Sequence, residues 1–240
     1  MSHTYNSVIW GPSLAGISKA IALKKQGLHV LLAGKFGFPG GKSCESLSVL
    51  FNEEDFQTDE VLQQILENVR SQRFGILYQS RSSILLHPEA LKRACWQVLN
   101  ENDVPLLFHV IPTRVSDHGD EKELALFGRE GEISIYSQNI FDFSQGRNLN
   151  ELNGIDGKRT LIINSFVSDR LPPSIPGFHI KQQIETPIGQ YISFSVRHIQ
   201  AADVDQVFNR ELDRFSIEAW KKYKARVRMI PVYPEVLREL

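Results

Sequence analysis

Residues 7–36 read SVIWGPSLAGISKAIALKKQGLHVLLAGKF, and the succession of patterns inside that stretch decides the fold. Val8, Ile9 and Trp10 form a short apolar run that stops at Gly11. Leu14, Ile17 and Ile21 then recur at the spacing of one helical face, and Gly27 closes the pattern as glycines do just past a helix C-terminus. A second apolar run, residues 28–33, reads as a buried strand. Strand, tight turn, helix and strand in so short a span make a βαβ unit. Its strands lie parallel, because the helix must cross the sheet face to bury its apolar stripe.

The turn after the first strand places Gly11, Ser13 and Gly16 where a dinucleotide-binding turn has its three glycines. The first permits the bend, the second lets a pyrophosphate approach the backbone, and the third lets helix and strand pack closely. Ser13 adds a side chain at the middle position, with a hydroxyl able to donate a hydrogen bond. Where a carboxylate ordinarily accepts from the ribose, at the end of the second strand, the chain has Gly34 followed by Lys35. Taken alone, this pattern suits both a nucleotide site and a plain packing turn.

Working outward, residues 36–46 are a Gly- and Lys-rich loop, and residues 59–70 have helical spacing through Val61, Ile65 and Val69. Residues 83–86 read as a short strand. His87-Pro88-Glu89 opens a helix with Leu91, Ala94, Cys95, Val98 and Leu99 on one face, and residues 104–110 return as a strand. Across residues 114–142, short strands separated by the polar turns Asp117-His118-Gly119-Asp120 and Arg129-Glu130-Gly131-Glu132 predict an antiparallel meander. Residues 160–164 and 190–196 are further strands around a proline-rich turn, and residues 203–224 a long amphipathic helix with Val204, Val207, Phe208, Phe215 and Ala219 inward. The expected class is α/β: a Rossmann-like parallel sheet with an inserted antiparallel meander over residues 1–157, and a small β-rich second part over residues 158–240 ending in the long helix.

Twenty-seven Lys and Arg against 28 Asp and Glu give a net charge of −1, so no broad field favours nucleic acid or anionic lipid as a partner. Two cysteines, Cys44 and Cys95, form no framework and point to a reducing compartment. The N-terminus MSHTYNSVIW has no basic patch before an apolar run, and no apolar run reaches the ~20 residues of a membrane span, so a cytoplasmic protein is expected. The histidines show no metal-ligand spacing, no metal is expected, and no Ser-His-Asp, Cys-His or paired-carboxylate arrangement identifies a catalytic residue.

Three later stretches join the first in resembling the FAD-dependent oxidoreductase superfamily with the glutathione-reductase type of Rossmann domain. FPGGKSC, residues 38–44, is similar to the family's F-P-x-x-K-x-C run after the second strand. HPEALKRACWQVLNENDVPLLFH, residues 87–109, resembles its D-P-E-x-L-K helix and the strand that ends against adenine. IFDFSQGRNLNELNG, residues 140–154, aligns without a gap to the family type V-I-D-A-T-G-D-G-D-L-A-A-L-A-G, and IPVYPEVLREL at the end of the chain resembles the lead-in to a later segment. The resemblance implies FAD held by Gly11, Pro12, Ser13 and Gly16, by Gly34 and Lys35, by Gly40, Gly41 and Lys42, by Ile111, and by Asp142 and Ser144, with Gln145 replacing the glycine that comes near the flavin diphosphate.

It further implies hydride or electron transfer to a small organic substrate. The alternatives are a degenerate, non-catalytic flavoprotein fold serving as scaffold or partner subunit, and a plain NAD(P)-binding protein. Relatives continue into a C-terminal stretch that returns to the flavin, so a homo- or hetero-oligomer in which another subunit completes the site is a further expectation. Beside these stand plainer readings: Lys35 as a solvated charge, Cys44 as a passive small residue, His87 as a helix-entry residue, His109 as a packed histidine, and Asp142 as the organiser of its own turn. Phe208, Phe215, Trp220 and Tyr223 read as core or subunit contact.

Overall fold

A computed structural model describes residues 3–145, 149, 152 and 157–238. Its contacts separate two units, the first made of Met1–Gly41, Glu53–Arg73 and Glu89–Ile155, the second of Lys42–Asn52, Phe74–Pro88 and Asp156–Leu240.

In the first unit β1 (His3–Trp10) and β2 (Val30–Gly34) pair in parallel from Ser7↔Val30 to Trp10↔Ala33, joined by α1 (Leu14–Lys25). All five residues of β2 are buried, as a strand covered on both faces requires. Helix α1 turns Ile17, Ala20 and Ile21 inward and ends on Lys24 and Lys25, which suit the negative end of the helix dipole. Beside it packs α3 (Glu60–Arg70), burying Val61, Ile65, Leu66 and Val69. In α4 (Pro88–Glu101) the predicted stripe Leu91, Ala94, Cys95, Val98 and Leu99 is fully buried.

The sheet runs β6-β2-β1-β9-β8-β7, where β6 is Leu106–Phe108, β7 Ile111–His118, β8 Glu121–Gly128 and β9 Gly131–Asp142. The meander is therefore continuous with the parallel sheet: the 12-residue strand β9 pairs antiparallel with β8 and parallel with β1. The strand expected over residues 104–110 is shorter, because His109 takes φ 59, a left-handed conformation that ends the extended run. The meander accordingly begins at Ile111 rather than residue 114.

The second unit is built on β10 (Lys158–Val167), flanked by β12 (Gly189–Gln200) on one side and β13 (Val227–Met229) and β14 (Glu235–Arg238) on the other, with β11 (His179–Thr186) outside β12. Helix α5 (Val204–Tyr223) covers one face, packing Val207, Phe208, Leu212 and Phe215 onto Leu161, Ile163, Ile192 and Phe194. On the other face lies the segment that opens with α2 (Lys42–Glu45): Asn164 Nδ2 donates to Ser46 O at 2.9 Å and the Tyr191 hydroxyl to Leu47 O at 3.2 Å. Register settles which side is which, since Asn164 pairs with Ser193 and Ile163 with Phe194, and alternate residues face opposite ways. A small sheet of β3 (Leu50–Asn52), β5 (Ser83–Leu86) and β4 (Ile76–Gln79) completes the unit. Among the described residues no helix is long and apolar enough to cross a membrane.

Candidate dinucleotide site

The site in the first unit is shaped by places where only a missing side chain permits contact. Gly11 has φ +95, and a Cβ there would stand 2.3 Å from Ser144 N, so the turn after β1 and the turn after β9 pass each other at backbone distance. Phe143 N donates to Trp10 O at 2.7 Å and fastens the two. At Gly16 a Cβ would fall 2.3 Å from Gly11 O, which leaves the third glycine its packing role. Gly41, at φ +52, approaches Ser13 closely enough that a Cβ would lie 2.7 Å from its Cα, while Gly40 N donates to Pro12 O at 2.8 Å. The loop after β2 thus closes onto the turn after β1. Gly11, Pro12, Ser13, Gly16, Gly40, Gly41, Asp142 and Ser144 come together around the start of α1.

Ser13, the residue that departs from the three-glycine pattern, is the N-cap of α1. Its backbone is extended and its Oγ accepts from Gly16 N at 3.2 Å. The hydroxyl is therefore turned back onto the helix's own first turn. Leu14 N and Ala15 N, in that same turn, have no acceptor inside the helix, and the turn contains no acidic residue, so the positive end of the dipole faces no fixed negative charge there. Asp142, the acid nearest in the strand order, is already engaged: one oxygen accepts from Ser144 N at 2.9 Å and Ser144 Oγ at 2.5 Å, the other from Leu149 N at 2.9 Å. These residues fit a diphosphate. Asp142 itself organises its turn, the plainer of its two readings.

The remaining predicted residues divide. Gly34 is buried, and a Cβ there would lie 2.7 Å from Pro12 Cδ, so the Pro12 ring occupies the space from which a ribose-binding carboxylate would start. Lys35 is exposed, its Nζ 5.4 Å from the Phe36 ring centre. Ile111 opens β7 and is 51% exposed. Lys42 belongs to the second unit, where it pairs with Glu235 at 2.8 Å. Residues 146–148, 150, 151, 153 and 154 of the family-like stretch lie outside the described residues. Cys44 is buried, with Sγ 3.8 Å from Pro88 O.

Sequence reading took His109 as a packed histidine but did not find its partner: the ring lies over Gly37 so closely that a Cβ there would be 2.1 Å from Nε2. It missed also Lys92, whose Nζ sits 4.2 Å above the Phe38 ring. The glycine at 37 was the one available signal; the left-handed backbone of His109 has none. No group of three or more metal-ligating side chains occurs among the described residues.

Comparison with known proteins gives the family and the fold. The family model described as FAD dependent oxidoreductase matches residues 7–156, more than half of the chain, and the chain belongs to that family. A search of curated proteins finds no significant match. Among solved structures, the p-nitrophenol 4-monooxygenase PnpA of Pseudomonas putida DLL-E4 superposes with a TM-score of 0.62 at 13% identity over 100% of this chain and 69% of its own. A geranylgeranyl bacteriochlorophyll reductase-like protein of Thermoplasma acidophilum gives 0.64 at 9% identity over 99% and 67%. Aklavinone-11 hydroxylase, solved with FAD and aklavinone, gives 0.62 at 13% over 99% and 53%. At these identities the likeness is one of fold. The chain spans about half the length of some of these structures, 52% of the anhydrotetracycline hydroxylase OxyS of Streptomyces rimosus.

Proposed function

We propose that the chain binds FAD at the start of α1 and takes part in hydride or electron transfer to a small organic substrate. The observation that carries this reading is the set of three glycine-dependent approaches, Gly11 to Ser144, Gly16 to Gly11 and Gly41 to Ser13, around a helix N-terminus with no acid in its first turn. Leu14 N and Ala15 N would hold the diphosphate, and Gly40 and Gly41 would shape the loop beside it. Asp142 and Ser144 would keep the adjoining turn in place. Bound FAD supplies an acceptor and donor of hydride or single electrons. Several structural neighbours are named as hydroxylases or monooxygenases of small organic molecules, which supports that substrate class. In this reading residues 1–157 form the dinucleotide-binding domain, residues 158–240 serve the substrate side, and the protein works in the cytoplasm.

One observation favours a second reading. Pro12 over Gly34 leaves the ribose without a side-chain acceptor, as expected of a non-catalytic flavoprotein fold acting as scaffold or partner subunit. The visible spectrum of the purified protein, with identification of released nucleotide and an FAD thermal-shift titration, separates the two. Near-stoichiometric flavin, or a rise in melting temperature with FAD, supports the first. A colourless protein indifferent to FAD overturns it.

A further inference from the structure

In the second unit, α5 closes on a reversal that gathers cations. Lys224 takes φ 57, the left-handed conformation that glycine usually supplies at a helix end; its N–H donates to Trp220 O and that of Ala225 to Ala219 O, both at 3.1 Å. The chain turns back there, and Arg226 N donates to Ser168 Oγ at 2.9 Å. The turn brings two cations to one ring: Arg226 Cζ lies 5.1 Å and Lys224 Nζ 5.7 Å from the Trp220 ring centre. Trp220 is 45% exposed, and Ile217, one turn earlier on the same face, is 53% exposed.

The charge here is local and largely unpaired. Residues 221–228 hold five Lys and Arg and no acid, in a chain whose net charge is −1. Lys222 is paired with Glu218 and Arg228 donates to Ile188 O at 2.8 Å, whereas Lys221, Lys224 and Arg226 are exposed and make no ion pair among the described residues. Asp169, which accepts from Ser168 Oγ, and the roughly half negative charge of the helix end oppose them. Asp213 stands two turns nearer the helix start. Three cations outweigh these, so the end of α5 is positive around exposed apolar side chains.

We infer that this end of α5 docks on an anionic membrane surface, with Ile217 and Trp220 set into the boundary between headgroups and acyl chains and Lys221, Lys224 and Arg226 among the lipid phosphates. Tryptophan suits that boundary because its ring is apolar and its N–H polar, and long basic side chains keep their charge in the headgroup layer while apolar neighbours go deeper. A nucleic acid offers the cations the same phosphates and Trp220 a base to stack on, but no apolar layer for an aliphatic side chain such as Ile217. Net charge over the whole chain conceals the patch, because attraction to a charged surface depends on the charges within a Debye length, ~10 Å at 0.1 M salt. Such docking is peripheral, needs no spanning helix, suits the anionic cytoplasmic leaflet and does not depend on whether FAD binds.

The test is flotation of the full chain with phosphatidylcholine vesicles, with and without about one-quarter phosphatidylserine, at about 0.1 M salt. The wild type should partition about tenfold more strongly onto the anionic vesicles, lose that advantage at about 0.5 M salt, and show a blue shift of tryptophan emission on binding. Duplex DNA at equal phosphate concentration should not displace it. Lys221→Gln with Arg226→Gln should weaken the partition about tenfold, and Ile217→Ser should weaken it severalfold with every charge retained. Trp220→Phe should remove the blue shift, leaving Trp10 and Trp96 unaffected by the vesicles. All four substituted side chains are exposed, so none of these variants opens the core. Equal partition onto both vesicles, anionic binding unchanged by the double substitution or by Ile217→Ser, a blue shift that survives Trp220→Phe, or displacement by the DNA would each overturn the inference. A spectrum showing no flavin in the same samples would bear on the FAD reading alone.

Discussion

Glu123 is a carboxylate on β8 only 6% exposed, yet it is held ionised. Ser134 Oγ donates to it at 2.6 Å, Ser116 Oγ at 3.0 Å and Arg114 at 3.2 Å, with His118 Nε2 at 3.3 Å. These contacts, that of Ser134 foremost and Ser116 next, outweigh burial and lower its pKa from 4.5 to about 2. A depressed carboxylate contributes stability in full above its unfolded value, and that contribution fades as pH falls through the folded one. Wild type and Glu123→Gln should therefore differ in melting temperature at pH 7, and the difference should shrink between about pH 4.5 and pH 2. A gap that stays constant with pH would refute the assignment. At Cys95, burial alone pushes the thiol up to about 12, so a thiol reagent at pH 8 should leave it unmodified until the protein unfolds. Mass spectrometry of native and urea-unfolded samples checks this.

Helix α3 starts on a cap that binds two elements. Asp59 Oδ1 accepts from Val61 N at 2.8 Å and Leu62 N at 3.1 Å, while Ser18 Oγ of α1 donates to its Oδ2 at 2.5 Å. Asp59→Ala should destabilise the protein by about 1–2 kcal/mol in urea unfolding, and Asp59→Asn should retain most of the wild-type value. Helices α1, α3, α4 and α5 were legible because each carries a stripe at helical spacing, and β1 and β2 because short apolar runs flank one; α2, four residues long, was read as part of a loop. Strands β3, β4, β13 and β14 were not, being three or four residues long. In β11 the polar run Lys181-Gln182-Gln183 interrupts any apolar alternation. In the site, glycine spacing revealed Gly11 and Gly16. The closure of Gly41 on Ser13 and the Pro12 ring over Gly34 join residues far apart in the chain, which no periodicity encodes.

At the scale of the whole chain, a tie across most of the sequence joins Glu235 to the segment that follows the dinucleotide loop. Glu235 on β14 accepts from Lys42 Nζ at 2.8 Å with one oxygen and from Ser48 Oγ at 2.9 Å with the other, across 193 and 187 positions of sequence. The Glu235 side chain is only 14% exposed, so it is largely shielded from water, whereas Lys42 is half exposed. The backbone contacts of Glu45, Ser46 and Leu47 hold the middle of the segment, which leaves Glu235 to hold its start. Removing it with Glu235→Ala forfeits one ion pair and one hydrogen bond, together about 1–2 kcal/mol of local ordering. Trypsin should then cleave the native protein after Lys42 about tenfold faster, because cleavage in the folded state follows the population of the locally opened segment. Glu235→Gln, which can still accept from Ser48, should fall between. If all three proteins are cut at Lys42 at one rate, the Glu235 contacts do not hold the segment, and the order of that stretch rests on its backbone hydrogen bonds alone.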